Sequence, residues 1–379
     1  MKINNEIGIF NISKETKLYK RRLPIIQFIR GVASILVVIY HFKHVLIAND
    51  AFKQVIDLLF SNGAAGVDIF FVLSGFVMVY SNNDLPEMDK SRKAYRFIVK
   101  RIMKIVPLYL FFTLLYLFVL IFNKDIIFDL NTTKILIKSL LFIPVASSDA
   151  PHFGYPILSV GWSLNFELYF YIIFCLSFFW GRWQYIFILT YFICTLLLPV
   201  AIFNKSFTFD CKITHFDNTY FNFITNPIIW EFVYGMIIGL IYKNTNQSEL
   251  RSKRYFWIGF LFTTFGTWQL LSGFWGGHGP INWGIASILF VSTGVFIWGR
   301  GGVNRHFNFI GDISYSLYLV HIPVLTLMNM VLKLTGLGFF TTGFSYLFLL
   351  ISLSLILAYH CHNLIENKIY QKLVKLFLV

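Results

Sequence analysis

The chain has 379 residues, 57% of them hydrophobic and only 13% charged, with 44 phenylalanines. Soluble domains carry about 25% charged residues, so this balance excludes a soluble globular protein and indicates a polytopic membrane protein. The net charge of +14 does not indicate nucleic-acid binding, because the basic residues gather beside alternate apolar segments, as the positive-inside rule describes.

Residues 1–22 are polar and basic and read as a cytoplasmic tail, followed by one membrane domain over 23–379. The apolar run after Lys20-Arg21-Arg22 is too long for a signal-peptide core and has no small-residue cleavage site, so it reads as a retained first span. About ten spans are expected in one all-α bundle. Their centres lie near Val37, Phe71, Leu114, Phe170, Ile188, Ile237, Phe262, Leu289, Leu325 and Leu350. With the N-terminus in the cytoplasm, 24 of the 32 Lys and Arg fall inside and eight outside. The opposite orientation inverts that ratio, so both termini are expected in the cytoplasm. The four cysteines have no metal-ligand spacing, so neither a zinc site nor a disulfide framework is expected.

The first span holds Arg30 and His41 with an uncharged run between them. Eleven helical positions turn about 1100°, so the two side chains share one stripe about 16 Å apart along the axis. Ionisable groups at that depth are costly and mark functional sites by default. The second span opens Gly66-Val67-Asp68, with Gly75 seven residues on and on the same face. Asp68 is equally readable as a first-turn acid favoured by the helix dipole. Before the third span, Arg101 and Lys104 lie three apart on one face, suited to a phosphate arriving from the cytoplasm or to anionic lipid.

The loop over 123–160 contains an apolar stretch, 135–143, expected to lie at the interface or fold back. The fourth span begins Gly161-Trp162-Ser163-Leu164-Asn165-Phe166-Glu167, with Ser163 and Glu167 on one face. A carboxylate there must be paired, protonated or hydrated; the functional reading has it orient a catalytic histidine. A second loop, 272–280, is rich in glycine turns. In the ninth span Ser314, Tyr318 and His321 fall on one stripe; interhelical bonding and a second catalytic group are both open for them. Glu231 and Glu366 are weaker candidates. These residues alone leave catalysis and proton-coupled transport of a glycan or small metabolite as alternatives.

Four segments in order resemble one family. They are Ile26-Gln27-Phe28-Ile29-Arg30-Gly31 with His41, Gly66 to Phe76, Lys100-Arg101 through Pro107-Leu108-Tyr109, and Phe309 to His321. The chain resembles the acyltransferase 3 family of integral membrane O-acyltransferases, and Gly161 to Glu167 is similar to its exopolysaccharide-modifying branch. The resemblance implies transfer of an acetyl group from acetyl-CoA to a hydroxyl of a surface polysaccharide or its lipid-linked precursor, in a bacterial cytoplasmic membrane. It implies no permanently bound cofactor. CoA phosphates would meet Arg30, Arg101 and Lys104, although Lys104 stands where the family usually has Arg and gives up the bidentate fork. His41 would take the hydroxyl proton, with Glu167 or Asp68 holding the imidazolium; an acyl-histidine intermediate is an alternative order of steps. Trp162, Ser163, Asn165, Tyr318 and His321 would contact the acceptor.

Overall fold

The computed structural model describes residues 23–48, 50, 52–82, 89–127, 129–203, 205–245, 253–298 and 305–378. The expected tail over 1–22 lies outside the described residues, which form helices and no strands. In chain order the helices are α1 (Pro24–Phe42), α2 (Lys53–Phe60), α3 (Gly66–Asn82), α4 (Lys90–Phe122) and α5 (Leu130–Leu140). They continue as α6 (Trp162–Ser177), α7 (Gln184–Phe203), α8 (Thr219–Ile224), α9 (Trp230–Asn244) and α10 (Lys253–Ser272). The rest are α11 (Trp283–Thr293), α12 (Arg305–Asp312), α13 (Ser314–Leu334), α14 (Phe344–Cys361) and α15 (Tyr370–Leu378).

Seven helical stretches among the described residues are long and apolar enough to cross a bilayer, and Trp283–Trp298 is a shorter apolar helix. Each of the ten expected centres falls inside a helix. Two of them, Phe170 and Ile188, share the stretch Ser159–Phe203, which bends where Gly181 takes φ 57°, a conformation other residues adopt at a cost. Large apolar side chains face outward, including Phe118, Leu261 and Phe348, each more than 60% exposed. In water such a surface would drive aggregation; in hydrocarbon it costs nothing.

Helix starts follow local chemistry. Pro24 opens α1, where its missing N–H is no loss. Asp89 caps α4 by accepting from Ser91 N, and Asp129 caps α5 by accepting from Thr132 N. With 33 residues, α4 is about 50 Å long, well beyond the hydrocarbon thickness. The stretch expected to fold back supplies most of α5, a short helix held to α4 where the Tyr109 hydroxyl donates to Ser139 O at 3.2 Å.

Glycines set the closest crossings. On α3, a Cβ at Gly75 would lie 2.0 Å from Phe232 O, and on α9 a Cβ at Gly235 would lie 1.9 Å from Val72 O. Gly239, one turn further along α9, meets Val79. The α9 sequence Gly235-Met236-Ile237-Ile238-Gly239 is thus a small-residue seam against a parallel neighbour. Gly63 and Gly66 meet the backbone carbonyls of Leu36 and Ala33, which places the start of α3 beside the His41 end of α1.

Candidate active site

A cavity of about 100 Å³ lies between α1, α3, α4, α6 and α13. Periodicity explains its walls. Phe70, Ser74 and Val77 form one stripe of α3; Ser163, Glu167 and Tyr171 form one stripe of α6; Arg101 and Lys104 share a face of α4. Arg30 enters from α1, and Tyr315 and Tyr318 from α13. All three residues expected to hold CoA phosphates therefore line the same cavity as Glu167, Ser163 and Tyr318.

Neutral partners fix one of the cations. Arg101 donates to the Ser81 hydroxyl at 3.3 Å and lies over the rings of Phe97 and Tyr171, at 5.6 and 5.5 Å. Glu167 accepts from the Ser74 hydroxyl at 3.1 Å and from the Tyr171 hydroxyl. Lys104 lies within Coulombic reach of Arg30 and Arg101 and of two carboxylates, Glu167 and Glu366. Glu366 is itself occupied, accepting from Ser316 N at 3.1 Å and from the Ser316 hydroxyl. The lining holds three basic side chains and one carboxylate, Glu167. Such a site favours an anion.

His41 lies near the end of α1, outside this cavity's lining. Its Nδ1 is 2.9 Å from Val37 O and 3.3 Å from His321 Nε2. A carbonyl can only accept, so Nδ1 carries the proton and Nε2 keeps its lone pair. That nitrogen makes no hydrogen bond among the described residues and can receive a proton. His321 is fully buried, and its ring stands 6.1 Å from that of Tyr318. Tyr318 in turn shares a 2.8 Å hydrogen bond with Ser163 and donates to Val160 O at 2.9 Å. One ring therefore separates the cavity from the histidine pair.

Neither acid expected to hold the His41 imidazolium does so. Glu167 is committed to Ser74 and Tyr171. Asp68, fully buried, accepts from His278 Nδ1 at 2.8 Å and from Gly279 N at 3.3 Å. The reason is tertiary: helical spacing sets the face a side chain occupies, but not the neighbour brought to that face. His41 instead has a backbone carbonyl and a second histidine as partners.

The Asp68–His278 pair belongs to a cluster of rings at the ends of α3 and α6. His278 stands 5.1 Å from Trp162, 5.0 Å from Trp283 and 5.8 Å from His152. His152 lies 4.6 Å from Trp162 and stacks on Tyr155 at 4.9 Å. Burial, then the field of His278, push the His152 imidazole down to about 4. Glu231 is buried beside Asp68.

Of the five residues expected to contact the acceptor, Ser163 and Tyr318 line the cavity and His321 pairs with His41. Trp162 joins the ring cluster, and Asn165 is buried in α6 outside the cavity's lining. His278 escaped sequence reasoning. Its signal is a histidine flanked by Gly276, Gly277 and Gly279, and two of these take positive φ of 107° and 138°, turning the ring towards Asp68.

A family model described as an acyltransferase domain matches residues 23–361. The exopolysaccharide production protein ExoZ of Rhizobium meliloti (strain 1021) is 29% identical over 295 residues, covering 76% of this chain and 84% of that protein. No solved structure matches the chain.

Proposed function

The chain belongs to the acyltransferase 3 family, and from this premise we propose that it transfers acetyl from acetyl-CoA to a hydroxyl of an exopolysaccharide or its lipid-linked precursor. The observation that carries the reading is the single cavity in which Arg30, Arg101 and Lys104 converge with Ser163 and Tyr318, one ring from the His41–His321 pair. The likeness to an exopolysaccharide production protein supports the acceptor class.

In this reading the three cations hold the CoA phosphates, with the two guanidiniums able to bind bidentately. The thin pantetheine arm carries the thioester past Ser163 and Tyr318. His41 Nε2 takes the proton of the acceptor hydroxyl as its oxygen bonds to the thioester carbonyl carbon. The carbon–sulfur bond then breaks, and the proton passes from His41 to the departing thiolate. Acetylated glycan and CoA are the products, and His41 returns neutral. Against the transporter alternative, Asp68 and Glu167 belong to separate hydrogen-bond sets and form no relay with His41.

The topology proposed with this activity has ten spans and both ends in the cytoplasm. Ser159–Phe203 counts as two spans, and Lys253–Ser272 and Trp283–Trp298 complete the set. The bacterial cytoplasmic membrane is the proposed location.

The test is complementation of a deletion strain, with O-acetyl content of the surface glycan read by mass, and turnover of acetyl-CoA by the purified protein. His41→Ala is expected to lower turnover by about 10²- to 10⁴-fold, the usual contribution of a general base. Unchanged acetylation by that variant would overturn the assignment of His41, and turnover of succinyl-CoA but not acetyl-CoA would overturn the donor.

A further inference from the structure

The ring cluster around Asp68 is not used by the proton transfer just described, yet it is built with care. Asp68 has both oxygens engaged by adjacent residues of one loop, His278 and Gly279. Because Nδ1–H donates to the carboxylate, Nε2 of the neutral His278 ring is left as an acceptor, and it makes no hydrogen bond among the described residues. The His278 side chain is 11% exposed, whereas Tyr155 at the rim is half exposed. Between them lie the rings of His152 and Trp162. Trp162 precedes Ser163, so adjacent residues of α6 serve this cluster and the cavity. Tyr155 also lies within electrostatic reach of Tyr40, whose ring is 5.2 Å from that of His41. The cluster therefore reaches, through Tyr40, the neighbourhood of His41.

Aromatic faces beside a fixed polar acceptor suit a ligand with an apolar face and hydroxyl edges. A sugar ring has both: its axial C–H bonds pack on indole and phenol faces, while its hydroxyls donate at the rim. A purely apolar ligand would leave His278 Nε2 unpaired, and an anion would meet Asp68.

We propose that residues 150–155 and 273–282 form a subsite for the acceptor sugar, in which His278 accepts a hydrogen bond from a ring hydroxyl and Tyr155 packs on the sugar face, with the buried Trp162 backing His152 and His278. Asp68 is then a positioning residue, acting through His278 rather than on His41. The identity of the acceptor rests on the reading above, but the subsite stands on its own geometry.

The test uses the full chain in detergent and, as probe, the producing cells' own surface glycan after mild alkaline de-O-acylation. Binding is read by tryptophan fluorescence and transfer by acetyl-CoA turnover. His278→Asn keeps a donor to Asp68 and removes the Nε2 acceptor; it is expected to raise the glycan Kd and KM about tenfold, the equivalent of one hydrogen bond. The KM for acetyl-CoA should stay within about twofold. His278→Gln, which places an acceptor near the Nε2 position, should recover part of the loss. Tyr155→Ala, at an exposed site that does not burden folding, should weaken glycan binding by a similar factor. Wild-type behaviour of both His278→Asn and Tyr155→Ala, or equal changes in donor and acceptor KM, would overturn the subsite. Glycan binding without transfer by the wild type would keep the subsite and remove the acetyltransferase reading. A polyprenyl-linked oligosaccharide of the same glycan in vesicles, run in parallel, separates a lipid-linked acceptor from a free one.

Discussion

His41 and His278 show how one imidazole nitrogen is disposed of so that the other is available. Val37 O claims the Nδ1 proton of the first, and Asp68 claims that of the second. His152, in the loop beside them, tests the electrostatics directly. Its imidazole is held near 4 by burial and by His278, against about 6.5 for a free histidine. The unfolded chain therefore binds a proton between about pH 6.5 and 4 that the folded chain refuses. The contribution of this site to stability is full above about pH 6.5 and is lost as pH falls towards 4. Melting midpoints in detergent should drop less steeply over that window for His152→Gln than for the wild type, and parallel slopes would contradict the assignment. Arg30, His41, Asp68, Glu167 and His321 were legible as costly polar residues in apolar segments, and Arg101 and Lys104 as a basic face before the third span. Their partners were not, because a hydrogen bond across 210 positions, as from His278 to Asp68, leaves no trace in local spacing.

Among elements, α3 and α9 approach backbone to backbone, and the reason is the absence of a side chain at Gly75 and Gly235. In a bilayer, helices gain little from burying apolar groups, since lipid tails are equally apolar; close packing of backbones does more. Gly235→Ala puts a methyl group 1.9 Å from Val72 O, which forces the helices apart at a cost of about 3 kcal/mol, the upper part of the range for overpacking. Gly338→Ala, with nothing within 4 Å of the added methyl, is the matched control. A lower melting midpoint for the first and none for the second is the expected pair; equal midpoints would show that the crossing has slack. This crossing also places α3 so that Asp68 meets the loop before α11 and Ser74 meets Glu167, so the same defect should reduce activity. The glycines were visible in the sequence, but which helix each would admit was not. Each of the ten expected span centres falls inside a helix, but the bend at Gly181, where two expected spans run into one stretch, was not visible.

For the whole molecule, the arrangement separates charge by depth. Arg30 and His41 lie on one helix about 16 Å apart, with cations around the first and rings around the second. The proposed orientation puts the cation end towards cytoplasmic CoA and the ring cluster towards the outer face. Single cysteines test it, in a background with Cys175, Cys194, Cys211 and Cys361 all replaced by Ala. Lys212→Cys, in the exposed loop before α8, should react with a membrane-impermeant maleimide in intact cells. Lys372→Cys, on α15, should react only after permeabilisation, and the reverse pattern would invert the topology. Residue order alone determined that this is a helical membrane protein with a basic side, and which polar residues are too costly to be incidental. Those properties follow from composition and from helical periods, which act over a few residues. Only the tertiary structure decided that Glu167 and Asp68 serve different sites, that His41 is partnered by His321, and that His278 completes the ring cluster. Such pairings depend on which helix faces meet, and the close approaches of backbones at glycine, rather than any local pattern, settle that.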